Sequence, residues 1–189
     1  KAPRRKEIVG IVDWLKAEID HLGVDLRTGI FAEASDVTAE NPDIVVIATG
    51  GMPNPGFFAG AEELAVTTWD ILSGQVAVGE NVLLYDDEGG HEALSTAEFA
   101  AGRAKALEIV TPERVVGVDV GGLNYPGFYK AFYQTKVTQT LNLRLQSLAR
   151  DGNRIVARFK NDYDKSIAKR RVDQVIACHG SLPADGLYL

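Results

Sequence analysis

Apolar residues recur near the start of the chain at Ile8, Val12, Leu15, Ile19 and Leu22. That 4-3-4-3 spacing predicts a helix over residues 7–22 with one face turned to a core. Gly23 supplies a left-handed stop, and a short strand is expected over 24–27. The run Ile44-Val45-Val46-Ile47-Ala48 is apolar at every position and rich in β-branched residues. A strand buried on both faces of a parallel sheet has this pattern. It leaves through the turn-rich Thr49-Gly50-Gly51-Met52-Pro53. Thr67 or Thr68 is placed to cap a short helix through Leu72, which Gly74 stops.

The stretch Asn81-Val82-Leu83-Leu84-Tyr85 predicts another buried strand. It runs through Asp86-Asp87-Glu88-Gly89-Gly90-His91 into a helix over 92–105 and a further strand over 107–110. Residues 81–110 therefore read as one β-α-β unit. An aromatic segment, 125–133, predicts a helix. Asp151-Gly152-Asn153 separates two alternating runs, 143–149 and 155–161, which is a hairpin signal. After a charged loop, 172–178 predicts a last apolar strand ending in His179-Gly180. The expected architecture is α/β: a Rossmann-like FAD/NAD(P)-binding module with a partial outer domain, an inserted nucleotide-type domain and a β-hairpin. Its expected boundaries are a partial FAD-type domain over 1–75, an inserted NAD(P)-type domain over 76–171, and a return strand of the outer domain over 172–189.

Composition narrows the function classes. The 189 residues are 46% hydrophobic and 24% charged, enough for one large core or two small ones. A net charge of -6 speaks against nucleic acid as a partner. Arg4-Arg5-Lys6 and Lys169-Arg170-Arg171 read as solvated charge runs. Cys178 is the single cysteine, so the chain has no internal disulfide, four-thiolate cluster or structural zinc site of its own; it reads as a small buried hydrophobe. No apolar stretch approaches the ~20 residues of a membrane helix. The first residues, Lys1-Ala2-Pro3, lead into the amphipathic helix without a signal peptide. With no initiator Met, the expectation is a fragment of a larger cytoplasmic protein.

A family resemblance rests on a set of segments. Ile44 through Pro53 resembles the ATG-type segment of two-dinucleotide flavoproteins. The set continues with Trp14 on the leading helix, Trp69-Asp70-Ile71-Leu72, Tyr85-Asp86-Asp87, Thr111-Pro112-Glu113-Arg114 and Asn124-Tyr125-Pro126. It ends with His179-Gly180-Ser181-Leu182-Pro183-Ala184-Asp185. Together they resemble the C-terminal part of the NADH:flavin oxidoreductase, or old yellow enzyme-like, family. Members with such a module include 2,4-dienoyl-CoA reductase, trimethylamine dehydrogenase, histamine dehydrogenase and the N-methyl amino acid demethylases, and the demethylases are the nearest in flavour. The resemblance implies a parent with an N-terminal FMN barrel and a 4Fe-4S cluster in the same polypeptide, with FAD or ADP as a further ligand. It also implies electron-transfer flavoprotein as an acceptor and is compatible with a homo-oligomer. The expected function is a non-catalytic domain of an amine dehydrogenase or N-demethylase. The alternatives are a piece of an NAD(P)H-dependent 2,4-dienoyl-CoA reductase and a pure interaction module.

The sequence contains no G-x-G-x-x-G, so the isolated chain is expected to hold no cofactor. By alignment to the family, Asp86, Glu88 and His91 stand where the three glycines of a nicotinamide fingerprint would be. Carboxylates at a helix start suit its dipole and repel a pyrophosphate. Three readings stay open at this turn: acidic capping alone, a changed ligand such as a cation or amine, or nucleotide binding in another pose. Clustering of His91 with Asp86, Asp87 and Glu88 around a metal is the weaker reading, and no metal site is expected. His179 reads as a turn residue before a flavin contact. The candidate cofactor-binding residues are Thr49, Gly50, Gly51, Asp86, Gly89, Gly90 and Gly180, with no catalytic residue among them. His21 reads as solvated, and the aromatics of 125–133 as packing.

Overall fold

The structure is a computed structural model that describes residues 2–54, 56 and 60–188. It divides into two compact units, one of residues 53–180 and a smaller one of 4–52 with 181 onward. The smaller unit opens with a single 3-10 turn and then α1 (Val9–His21). Next is α2 (Ala34–Ala39), whose start is a capping box: Asp36 Oδ2 accepts from the Glu33 amide at 2.9 Å. The chain then reaches β1 (Gly51–Pro53).

The larger unit begins with α3 (Ala61–Leu64), β2 (Ala65–Thr67) and α4 (Thr68–Ser73). It continues through β3 (Asn81–Asp86), α5 (His91–Ala101), β4 (Ala106–Val110), α6 (Tyr125–Gln134) and β5 (Thr138–Thr140). Three antiparallel strands follow, β6 (Leu143–Asp151), β7 (Arg154–Asn161) and β8 (Ile167–Val172). Then β9 (Gln174–Cys178) returns to the parallel sheet. The chain re-enters the smaller unit as β10 (Ser181–Pro183), which pairs with β1.

The parallel sheet has the order β2-β9-β3-β4-β5. Alternation along its strands makes three layers. Val82, Leu84, Ile109 and Ile176 face Leu94, Ala97, Phe128 and Phe132 of α5 and α6. The intervening Leu83, Tyr85, Val110 and Val175 face Leu145, Leu148, Ala157 and Phe159 of the antiparallel strands. Each large apolar side chain fully buried in this way stabilises by about 1.5–3 kcal/mol. No described apolar residue between 4 and 52 is buried to that degree. The stability of the molecule therefore resides in the larger unit.

Several expectations change here. Ile44–Ala48 forms no strand: Ile44 is 82% exposed and Val46 84%. An apolar strand needs a neighbour at its edges and cover on both faces, and the described strands of this unit are the two three-residue pieces β1 and β10. Residues 24–27 form no strand either, and the apolar face of α1 is open, with Val12 53% and Leu15 47% exposed. The charged stretch before 172 is largely strand β8, whose Ala168–Arg171 pairs with 156–159 of β7. The compact units divide at 52 and 180 rather than at 75 and 171. The reason is that β9 lies between β2 and β3 and bonds to both, so it belongs to the nucleotide-type sheet.

Candidate functional site

In an open parallel sheet, ligand crevices form beyond the carboxyl ends of the strands. Here β3 and β9 end together, with Asp86 directly beside Cys178. The turn from Asp86 to Gly90 then leads into α5, which has Gly90 at its N-cap.

Asp86 is fully buried. Its Oδ1 accepts the backbone amides of Glu88 at 3.2 Å and Gly89 at 2.9 Å, while Oδ2 has no partner. Burial pushes this carboxyl up to about 6, against the two amide bonds and with the help of the Asp87 and Glu88 charges. Asp87 turns the other way: its two oxygens lie 2.7 and 2.8 Å from His179 Nδ1. The Tyr85 hydroxyl donates to Asp87 Oδ2 at 3.4 Å; burial first, and then that carboxylate, push the phenol above its ordinary range. Glu88 Oε2 accepts from the Cys178 thiol at 3.3 Å. Burial raises that thiol far above its usual range, and the Asp86 and Glu88 charges add to the effect. His91 instead packs its ring 6.0 Å from that of Phe128.

Asp87 and His91 thus point away from Asp86 and Glu88, and the four do not gather around one ion. Glu88 and Cys178 converge with Glu92, whose Oε1 accepts from Trp69 Nε1. Sequence reasoning missed Glu92 and the polar role of Cys178. Glu88 and Glu92 are four residues apart where the helix begins, a readable signal, whereas Cys178 arrives only through the β3–β9 register.

Gly89 has φ +75°, and a Cβ there would lie 2.5 Å from Val118 Cγ1, so only glycine fits without a local shift. Its carbonyl accepts from the Asp119 amide at 3.1 Å. Around Gly90 a Cβ would meet nothing. In a dinucleotide fingerprint the turn amides are directed at the pyrophosphate. Here the Asp86 carboxylate occupies those of Glu88 and Gly89. A second unit negative charge ~4 Å from it would meet about 4 kcal/mol of repulsion at the effective dielectric of such a site. The helix dipole offers back only about 0.3–1 kcal/mol. The arrangement does not fit a pyrophosphate bound in the usual pose.

In the smaller unit, Thr49 Oγ1 donates to the Ala184 carbonyl, and the Gly50 carbonyl accepts the Ala184 amide at 2.9 Å. A Cβ on Gly51 would sit 2.7 Å from the Leu182 carbonyl oxygen, so close strand pairing accounts for that glycine. Gly180 belongs to the larger unit, where its carbonyl accepts from the Asn54 amide at 3.2 Å. Phe128 and Phe132 are core, the Tyr129 hydroxyl donates to the Val116 carbonyl at 3.1 Å, and Tyr133 is exposed. His21 is exposed at the end of α1. Among the described residues no helix is long and apolar enough to cross a membrane.

No family model matches the chain. It is 39% identical over 188 residues to a probable N-methylproline demethylase of Rhizobium meliloti, covering 100% of this chain and 28% of that protein. It is also 39% identical over 195 residues to an N,N-dimethylglycine/sarcosine dehydrogenase of Chromohalobacter salexigens, again with 100% and 28% covered. The chain therefore spans little more than a quarter of these relatives. A solved 6-hydroxypseudooxynicotine amine oxidase from Pseudomonas geniculata has the same fold, with a TM-score of 0.85 at 20% identity over 99% of this chain and 29% of that one.

Proposed function

Because the chain belongs to the old yellow enzyme-like NADH:flavin oxidoreductases that carry an FAD/NAD(P)-type module, we propose that it is the module of an amine dehydrogenase or N-demethylase. The observation that carries this reading is the 39% identity, along the whole chain, to two proteins named for that chemistry. In the parent protein an FMN barrel would oxidise the amine, and a 4Fe-4S cluster would pass the electrons to an acceptor such as electron-transfer flavoprotein. The contribution of the present residues is to hold the module together and to keep NAD(P)H out of the β3–α5 turn. Asp86 takes the amides a pyrophosphate would need, and the charges of Asp87 and Glu88 act on the same carboxylate. In the smaller unit Thr49, Gly50 and Gly51 shape a loop that would face FAD or ADP in the parent; in the larger unit Gly180 shapes the exit of β9, and Gly89 and Gly90 the closed turn.

The occupied turn weighs against an NAD(P)H-dependent 2,4-dienoyl-CoA reductase. An additional interaction role is favoured by the open apolar residues of α1 and of 44–47. The test is anaerobic reduction of the full-length protein that contains this chain. An N-methylated amino acid should bleach its flavin and NADPH should not. Rapid bleaching by NADPH with turnover of an unsaturated acyl-CoA would overturn the proposal.

A further inference from the structure

Beyond β3 and β9, one ligand atom from each of Glu88, Glu92 and Cys178 lies within 4.8 Å of the other two. The Cys178 sulfur and Glu88 Oε2 are already 3.3 Å apart. Two ligands bound to zinc at about 2.0–2.3 Å in a tetrahedron stand about 3.3–3.8 Å from each other. The side chains therefore need only a small closing movement to share an ion. Cys178 is buried at 3% exposure, whereas Glu88 and Glu92 face solvent, so the sulfur forms the floor and the carboxylates the mouth.

A second observation is independent of this cluster. Asp86 is 0% exposed, and its Oδ2 has no hydrogen-bond partner. A buried carboxylate oxygen without a partner is costly, and among the described residues no lysine or arginine pairs with Asp86, Glu88 or Glu92. The side chain leaves the sheet on the side of the cluster, and its charge acts on the Cys178 thiol. Asp86 lies on the same sheet face as Val82, Leu84 and Ile176, toward α5, and Cys178 is its direct neighbour across the ladder on that face. Three acidic or sulfur-bearing groups thus meet beside a fourth, buried one, and among the described residues no lysine or arginine pairs with their carboxylates.

We propose that Cys178, Glu88 and Glu92, backed by the buried carboxylate of Asp86, form a site for a divalent transition cation of the zinc class. A thiolate with carboxylates selects such an ion over magnesium or calcium, which take oxygen ligands alone. Binding displaces the thiol proton that Cys178 now donates to Glu88, and that proton leaves to solvent, so uptake weakens as pH falls. Solvent completes the coordination. The site stands whether or not the parent enzyme demethylates amines.

Cobalt(II) titration of this chain, freed of metal by a chelator, tests the site. One equivalent should produce a sulfur-to-cobalt charge-transfer band that zinc(II) abolishes. Cys178→Ser should lose the band, Glu88→Gln and Glu92→Gln should each weaken zinc binding at least about tenfold, and Asp86→Asn should weaken it by about 10–100-fold as a supporting group. Since a buried substitution can impair folding, zinc-edge X-ray absorption of the unaltered chain gives a second reading, which should show sulfur together with oxygen in the coordination shell. Failure to bind cobalt, a band that survives in Cys178→Ser, or a zinc shell of oxygen and nitrogen alone would overturn the proposal.

Discussion

Asp86 shows what a single residue costs when it is closed off from water with one oxygen unmatched. Its carboxyl is pushed up to about 6 in the folded chain from an ordinary 3.8, mainly by burial. The folded state therefore binds the proton more tightly than the unfolded state. Above pH ~6 the charged form destabilises the fold by about 3 kcal/mol; as pH falls from there toward ~4 the folded chain takes up the proton and that loss is recovered. Asp86→Asn removes the charge and keeps an oxygen for the backbone amides of Glu88 and Gly89. In chelator, urea unfolding should find the variant more stable than the parent chain at pH 8 by up to about 3 kcal/mol. The advantage should shrink as the pH approaches 4. An advantage that is equal at both pH values would show that the buried charge is not its source.

At the scale of elements, short pieces depend on local satisfaction of the backbone. Helix α4 has only six residues and is defined at one end by a reciprocal box. The Asp70 amide donates to Thr67 Oγ1 at 3.2 Å, and Asp70 Oδ2 accepts from the Thr67 amide at 2.8 Å. At the other end Gly74 takes φ +85°. Thr67→Ala should cost about 1 kcal/mol, which in a chain of this size lowers the melting temperature by about 2–4 °C. Thr67→Ser, which keeps the oxygen, should lose much less, and equal losses in the two variants would place the effect in the methyl group. The edge of the parallel sheet is tied differently. Arg170 Nε on β8 donates to Glu108 Oε2 on β4 at 2.7 Å, and the Thr140 hydroxyl on β5 donates to Oε1 of the same carboxylate at 2.6 Å. One side chain thereby joins the antiparallel strands to the parallel ones.

For the molecule as a whole, the two units differ in what they bury. The larger has apolar layers on both faces of its sheet; the smaller exposes Ile8, Val12, Leu15 and 44–47. Local opening follows buried contact. Amide exchange should accordingly be slowest in 82–86 and 174–178 and faster by orders of magnitude in 9–21 and 44–48. Similar protection in both regions would mean that the apolar face of the smaller unit is covered in solution, for instance by self-association, which sedimentation would reveal.

The sequence alone determined the nucleotide-type centre. Asn81–Asp86, Ala106–Val110 and Gln174–Cys178 are continuous or nearly continuous apolar runs because both of their faces are buried, and the helix caps and the Gly152 turn depend on neighbours in the chain. The acidic turn was legible because its residues are neighbours in the chain. Tertiary structure decided the rest. Asp87 meets His179 across 92 residues, and Cys178 joins Glu88 and Glu92 only because β9 lies beside β3 in one particular register. Ile44–Ala48 carries the pattern of a buried strand and is not one here, and the charged 167–171 pairs as a strand with no such pattern. A strand exists by virtue of its ladder partners and the layers that cover it, and those come from parts of the chain that no local pattern can identify.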